Sequence, residues 1–260
     1  MLRPTVLLAA ALLAACALPV SARPRVQISV IDRDHGDWLA PVRHRGQDWI
    51  AGTPGHRYSV RLSNTSSERV LVVLSVDGVN AVTGQTAHPS QAGYVLGPWQ
   101  STEVNGWRKS LDDVAQFVFT DLPDSYAART GRPDNVGVIG IAVFAEARPM
   151  SLPRPLYPSA PVAREASKAA PPAAAQADAA SAEAMPQGIG TGHGEREWSP
   201  VSRTDFVRAT RHPQQVVELR YDDRASLVAR GILPRDRHWH APHAPRAFPD
   251  GFVADPPYPR

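Results

Sequence analysis

The segment IDRDHGDW at residues 31–38 sets His35 among Asp32, Asp34 and Asp37. Alternating carboxylates supply the oxygen ligands that calcium prefers. An EF-hand also requires an Asx-x-Asx-x-Asx-Gly run continued to a distal Glu, and that continuation is missing here. A solvated turn after a first strand accounts for the same residues. His238, His240 and His243, in RHWHAPHAP, have the composition of a weak transition-ion chelator. The prolines around them give that chelator no fixed geometry. On this reading the sequence assigns no metal site and no cofactor.

The run GIGTGHG at residues 188–194 invites comparison with phosphate-cradling loops. A Walker loop ends in Gly-Lys-Ser/Thr so that a lysine reaches the phosphates, and no such lysine follows. A dinucleotide fingerprint needs a strand before it and a helix after it. Here an Ala/Pro-rich stretch precedes it, so the run reads as a loop that docks. Hydrolytic chemistry would have to recruit Ser125, His88 or His193, and Asp124, without a Gly-x-Ser-x-Gly elbow to hold a nucleophile. Paired-carboxylate chemistry would draw on Glu103, Asp112, Asp113 and Asp121, which nothing in the spacing sets face to face. No catalytic residue is assigned.

A different grouping suits recognition. Trp99, Trp107 and Tyr126 lie in sequence beside Arg108, Arg129 and Arg132, with Asp124 and Asn135 close by. Aromatic residues and arginine are the side chains that anchor interfaces. Trp99, Trp107, Arg108, Tyr126, Arg129 and Asn135 are therefore the candidate interaction residues. The competing reading makes Trp107 and Tyr126 core or corner residues and pairs the arginines locally with Asp112, Asp113 and Asp124.

The elements that must position these residues are strands. Residues 25–31 (RVQISVI) and 58–62 (YSVRL) alternate apolar and polar, the period of a half-buried strand. Residues 69–76 (RVLVVLSV) are β-branched and almost wholly apolar, which predicts a central strand covered on both faces. Asp77-Gly78 is a hairpin dipeptide leading into residues 79–82. Residues 93–96 and 101–104 form a further candidate hairpin across Gly97-Pro98. Residues 115–120 and 136–144 read as strands, with a short helix or ordered loop at 124–129 between them. Short strands at this spacing, punctuated by Gly, Pro, Asn and Asp, predict an all-β fold, an antiparallel β-sandwich or jelly-roll-like domain.

The expected organisation is a signal peptide at 1–22, the sandwich at 23–147 and an Ala/Pro-rich disordered linker at 148–187. A C-terminal strand-and-turn segment at 188–233 follows, then a Pro/His-rich tail at 234–260. Within the C-terminal segment, 204–209 and 215–221 read as strands and 225–230 as a helical turn ended by Gly231. That piece is too small for its own core and should dock on the main sheet, covering an edge.

The first residues pair Arg3 with an apolar run over 6–18 and small residues at Ser21-Ala22, the layout of an export signal. Leu13-Ala14-Ala15-Cys16 opens a second route, in which Cys16 is acylated and anchors the chain by its lipid. Both routes remain open. No later stretch reaches the ~18–20 apolar residues of a membrane-spanning helix. The single cysteine, Cys16, leaves the rest of the chain without an internal disulfide. The net charge is +3, and no Lys/Arg block marks a nucleic-acid footprint.

Residues 74–87 (LSVDGVNAVTGQTA), 93–110 and 124–144, with GTGHGERE at 190–197 and LRYDDRASLVARGI at 219–232, resemble a family of exported hypothetical proteins of proteobacteria with no assigned activity. The resemblance implies export and one shared architecture, and it transfers no site residue. The reading is therefore an exported, envelope-associated β-sandwich, periplasmic or secreted, or an outer-membrane lipoprotein if Cys16 is acylated. It would act as a non-catalytic interaction or structural module for an envelope protein or polymer. A secreted enzyme acting on envelope polymers and a metal-binding periplasmic protein are the alternatives.

Overall fold

The computed structural model describes residues 24–148 and 188–235. The expected signal peptide with Cys16, nearly all of the expected linker and the histidine-bearing tail lie outside the described residues. Two sheets pack face to face. The first contains β1 (Val26–Asp32), β2 (Asp37–Leu39), β5 (Arg57–Asn64), β9 (Ser101–Val104), β10 (Gly106–Arg108), β11 (Asp113–Asp121) and β13 (Ile189–Trp198). The second contains β3 (Val42–His44), β4 (Gln47–Gly52), β6 (Val70–Val76), β7 (Val79–Asn80), β8 (Tyr94–Leu96), β12 (Val138–Ala145) and β14 (Gln215–Asp223). This is the all-β sandwich that the strand spacing predicts. One pair departs from the antiparallel pattern: β14 runs parallel to β4.

The central position of β6 follows from its composition. Val70, Val72, Leu74 and Val76 face the inter-sheet core, where they meet Tyr58, Phe117, Phe119 and Ile139. Leu71 and Val73 point the other way and pack with Ala142, Phe144 and Phe206. Both faces are thus covered, as an uninterrupted apolar run requires. The outer cover differs from expectation. Residues 204–209 form no strand, only a bridge between Arg208 and Glu146, and Phe206 with Arg208 lies across the sheet. The Arg208 guanidinium sits 4.4 Å from the Phe144 ring centre.

The C-terminal segment covers an edge with one strand and completes a sheet with the other. β14 lies between β12 and β4 inside the second sheet, and β13 pairs with β11 along its length in the first. GIGTGHG is therefore mostly strand rather than loop. Its glycines permit close packing: a Cβ on Gly190 would fall 2.5 Å from Val136 and 2.6 Å from Ser125. α2 (Arg224–Ala229) follows β14 directly, capped by Asp223, whose side chain accepts from the Ser226 N–H. It ends at Gly231, which has φ of +70°, as read from the sequence. Its Leu227 packs with Ile232 on Trp49 of β4.

The β6–β7 hairpin turns on Asp77 and Gly78, with φ of +53° and +71°, the two left-handed positions of a type I′ turn. A side chain at Gly78 would also place its Cβ 2.7 Å from that of Asn135. Gly78→Val should therefore lower the melting temperature measurably, since left-handed backbone alone costs an L-residue about 1–2 kcal/mol. An unchanged melting temperature would remove that turn from the account.

Candidate functional site

The most heavily constrained polar group is Asp77, whose side chain is enclosed where the two sheets meet. Its Oδ1 accepts from the Gly137 N–H at 2.9 Å and the Tyr221 hydroxyl at 2.6 Å, and its Oδ2 from the Thr191 N–H at 2.7 Å. Thr191 Oγ1 in turn lies 2.7 Å from the Tyr221 hydroxyl and 2.5 Å from that of Tyr58. Tyr58 and Thr191 belong to the first sheet, and Asp77 and Tyr221 to the second, so the chain of bonds ties the sandwich together. Burial pushes the Asp77 carboxyl up to about 6, against the donors that favour its charge. A raised carboxyl of this kind marks active sites when it opens on a cleft. All four side chains here are inaccessible to solvent, so the network is structural. Sequence reasoning saw Asp77 only as a turn residue.

The residues considered for hydrolysis do not assemble. Ser125 is buried and caps α1 (Tyr126–Arg129), accepting from the Ala128 N–H and donating to the Leu122 carbonyl. His88 bonds Ser90 in an exposed turn. His193 lies beside Tyr126, with ring centres 5.6 Å apart. Among the described residues the concavities are shallow. The better formed is a polar depression of about 260 Å³ lined by Arg43, Asp48, Glu218 and Arg220.

The candidate interaction residues are dispersed. Trp107 is 2% exposed and packs edge-on against Phe117, 4.9 Å between ring centres, and against Tyr126 at 5.0 Å. Its indole is part of the core, as the competing reading had it. Arg108 does not pair with an aspartate. It donates to the Ser199 carbonyl and hydroxyl and to the Leu111 carbonyl, fastening the chain that leaves β13. Tyr126 is half-buried, with the Arg132 guanidinium 5.7 Å from its ring centre. Arg129 and Asn135 are exposed on α1 and on the 3-10 turn after it. Trp99 is 68% exposed with φ of +59°, on the turn between β8 and β9.

The outer face of the first sheet carries a grouping the sequence did not suggest. Trp38 of β2 is 55% exposed, and the Arg61 guanidinium lies 5.3 Å from its ring centre. The register sets Trp38 opposite Ile31 and Ile31 opposite Ser59, with Arg61 beside Glu103 in a neighbouring row. Nearby, Arg33 holds Glu197 through two bonds of 2.6 and 3.0 Å, and Asn105 and Gln116 donate to the same carboxylate at 2.7 Å each. Burial acts to raise Glu197, but these donors outweigh it and hold the carboxyl below its usual range. No protein-family model, curated protein or solved structure matches this chain.

Asp34 and Asp37 do not join His35 in a ligand set. Asp34 is bound by the Arg57 guanidinium and backbone N–H, and Asp37 is exposed in β2. Asp32 and His35 are joined instead by His56, from the turn before β5.

Proposed function

We propose that this protein is an exported β-sandwich of the bacterial envelope that works as a non-catalytic interaction or structural module, engaging an envelope protein or polymer. The observation that carries this reading is the Trp38–Arg61 pair, presented on the outer face of a sheet with the tryptophan 55% exposed. Exposed tryptophan and arginine on a preorganised surface are the side chains from which binding hot spots are built. Trp99, Arg129 and Asn135 extend the accessible set. The export-signal layout of the first residues and the resemblance to exported proteobacterial proteins support a partner in the envelope.

Cross-linked capture from envelope extracts tests the reading. The chain is expected to retain a specific partner, and Trp38→Ala with Arg61→Ala is expected to weaken retention at least tenfold without shifting the melting temperature. Tenfold corresponds to about 1.4 kcal/mol, past the ~1 kcal/mol that fewer than a third of interface residues cost when truncated. Absence of any specific partner, or retention equal in the double variant, would count against this face.

A further inference from the structure

We propose that Asp32, His35 and His56 form a binding site for a divalent transition-metal ion, of which zinc is the representative. The three come from two turns that the pairing of β1 with β5 brings together. Asp32 ends β1 opposite Tyr58, so the turn after β1, with His35, lies against the turn before β5, with His56. His56 Nδ1 is 2.7 Å and His35 Nδ1 3.5 Å from one and the same oxygen, Asp32 Oδ2. The imidazole rings meet edge to face, 4.6 Å between centres, and one donor atom from each residue lies within 4.8 Å of the others.

That arrangement exceeds the needs of a simple His–Asp pair, which one histidine satisfies. A tetrahedral ion with bonds of about 2.0–2.1 Å sets its donors roughly 3.3 Å apart. The two contacts to Asp32 bracket that spacing, and His35, whose side chain is 63% exposed, is free to close the rest. Asp32 is prepared as a ligand. Its Oδ1 is occupied by the N–H groups of Asp34 and His35, at 2.9 and 3.2 Å, which fixes the carboxylate and leaves Oδ2 for the ion. Such outer bonds are what orient metal ligands.

The nearby cations do not oppose an ion there. Arg57 is committed to Asp34 and Arg33 to Glu197. Two imidazole nitrogens and one carboxylate suit zinc, copper, nickel or cobalt, whereas calcium takes oxygen ligands. Remaining coordination positions would open on solvent past His35. Binding requires the proton between His56 Nδ1 and Asp32 Oδ2 to leave that nitrogen, moving to Nε2 in a neutral imidazole and released from an imidazolium, so affinity falls on acidification. The inference is independent of the interaction reading.

The test uses the full exported chain without a polyhistidine tag, carrying His238→Ala, His240→Ala and His243→Ala to silence the tail. Cobalt chloride is titrated by visible absorption and zinc chloride by calorimetry. One equivalent of each is expected to bind, with His35→Ala, His56→Ala and Asp32→Asn each weakening binding at least tenfold. His35→Ala serves as the folding control, because its exposed ring should leave the metal-free melting temperature unchanged. Binding as tight in His35→Ala as in its parent, or no stoichiometric binding once the tail is silenced, would overturn the site.

Discussion

Asp77→Ala is expected to cost about 3–5 kcal/mol of unfolding free energy, because it removes three buried hydrogen bonds to a carboxylate, each worth about 1.5–3 kcal/mol. The carboxylate accepts from the Gly137 and Thr191 N–H groups and from the Tyr221 hydroxyl. Each of these donors would lose that acceptor inside the core. Asp77→Asn is the sharper variant, because asparagine tolerates the left-handed backbone that residue 77 adopts. Its NH2 group must face either Thr191 N–H or Gly137 N–H, a donor against a donor, and a loss of about 2–3 kcal/mol is expected. Urea unfolding should show the midpoint falling at constant slope. The pH dependence adds an independent check. The folded-state value near 6 lies above the ordinary 3.8, so Asp77's contribution is fully present below about 3.8 and is lost as pH rises through 6. The stability gap between wild type and Asp77→Asn should therefore be larger at pH 4 than at pH 7, by about 2 kcal/mol. Asp32, Glu197 and Asp223, whose carboxyls are held low, act in the opposite direction and cancel in the difference. A gap that does not change with pH would show the carboxylate ionised throughout.

What the sequence made legible was local. The period-2 runs, the apolar stretch of β6, the Asp77-Gly78 turn and the stop at Gly231 are each specified by neighbouring residues, and each is found where expected. The rest depended on partners distant in the chain. His56 could not be joined to Asp32 and His35 without the β1–β5 register, and nothing local sets that register. Trp107 sits in a segment where tryptophan and arginine alternate with polar residues, which reads equally as surface or corner. Only its contact with Phe117 decides. The glycines at 188–194 read as flexibility because glycine is at home in loops. In the fold they mark the places where β13 must approach Ser125, Val136 and Thr120 closely. Phe206 covers the outside of β6 and β12 from a segment without regular structure, which no periodicity could announce. The Trp38–Arg61 pair likewise exists only through cross-strand placement.

A chain ending at Ala147 is expected to lose cooperative folding altogether. Removing β14 takes from the second sheet the strand that connects β12 to β4, so β3 and β4 lose their attachment and β12 becomes a bare apolar edge. Removing β13 strips β11 of its long partner. Ile189, Leu219, Tyr221, Leu227 and Ile232 are all buried, and at about 1.5–3 kcal/mol for each large side chain their loss rivals the whole stability of a domain. The truncation also takes Thr191 and Tyr221 from Asp77, leaving that carboxylate with only part of its donor set. Circular dichroism with thermal melting should show no cooperative transition for residues 24–147. Supplying residues 188–260 as a separate chain should restore one, because the contacts that matter are made by β13, β14 and α2 and need only proximity. A cooperative melt of the truncated chain within a few degrees of the full one would mean that the two C-terminal strands are dispensable, and with them the two-sheet bond through Asp77. Restoration in trans would instead make the intervening residues a tether whose length the fold does not dictate.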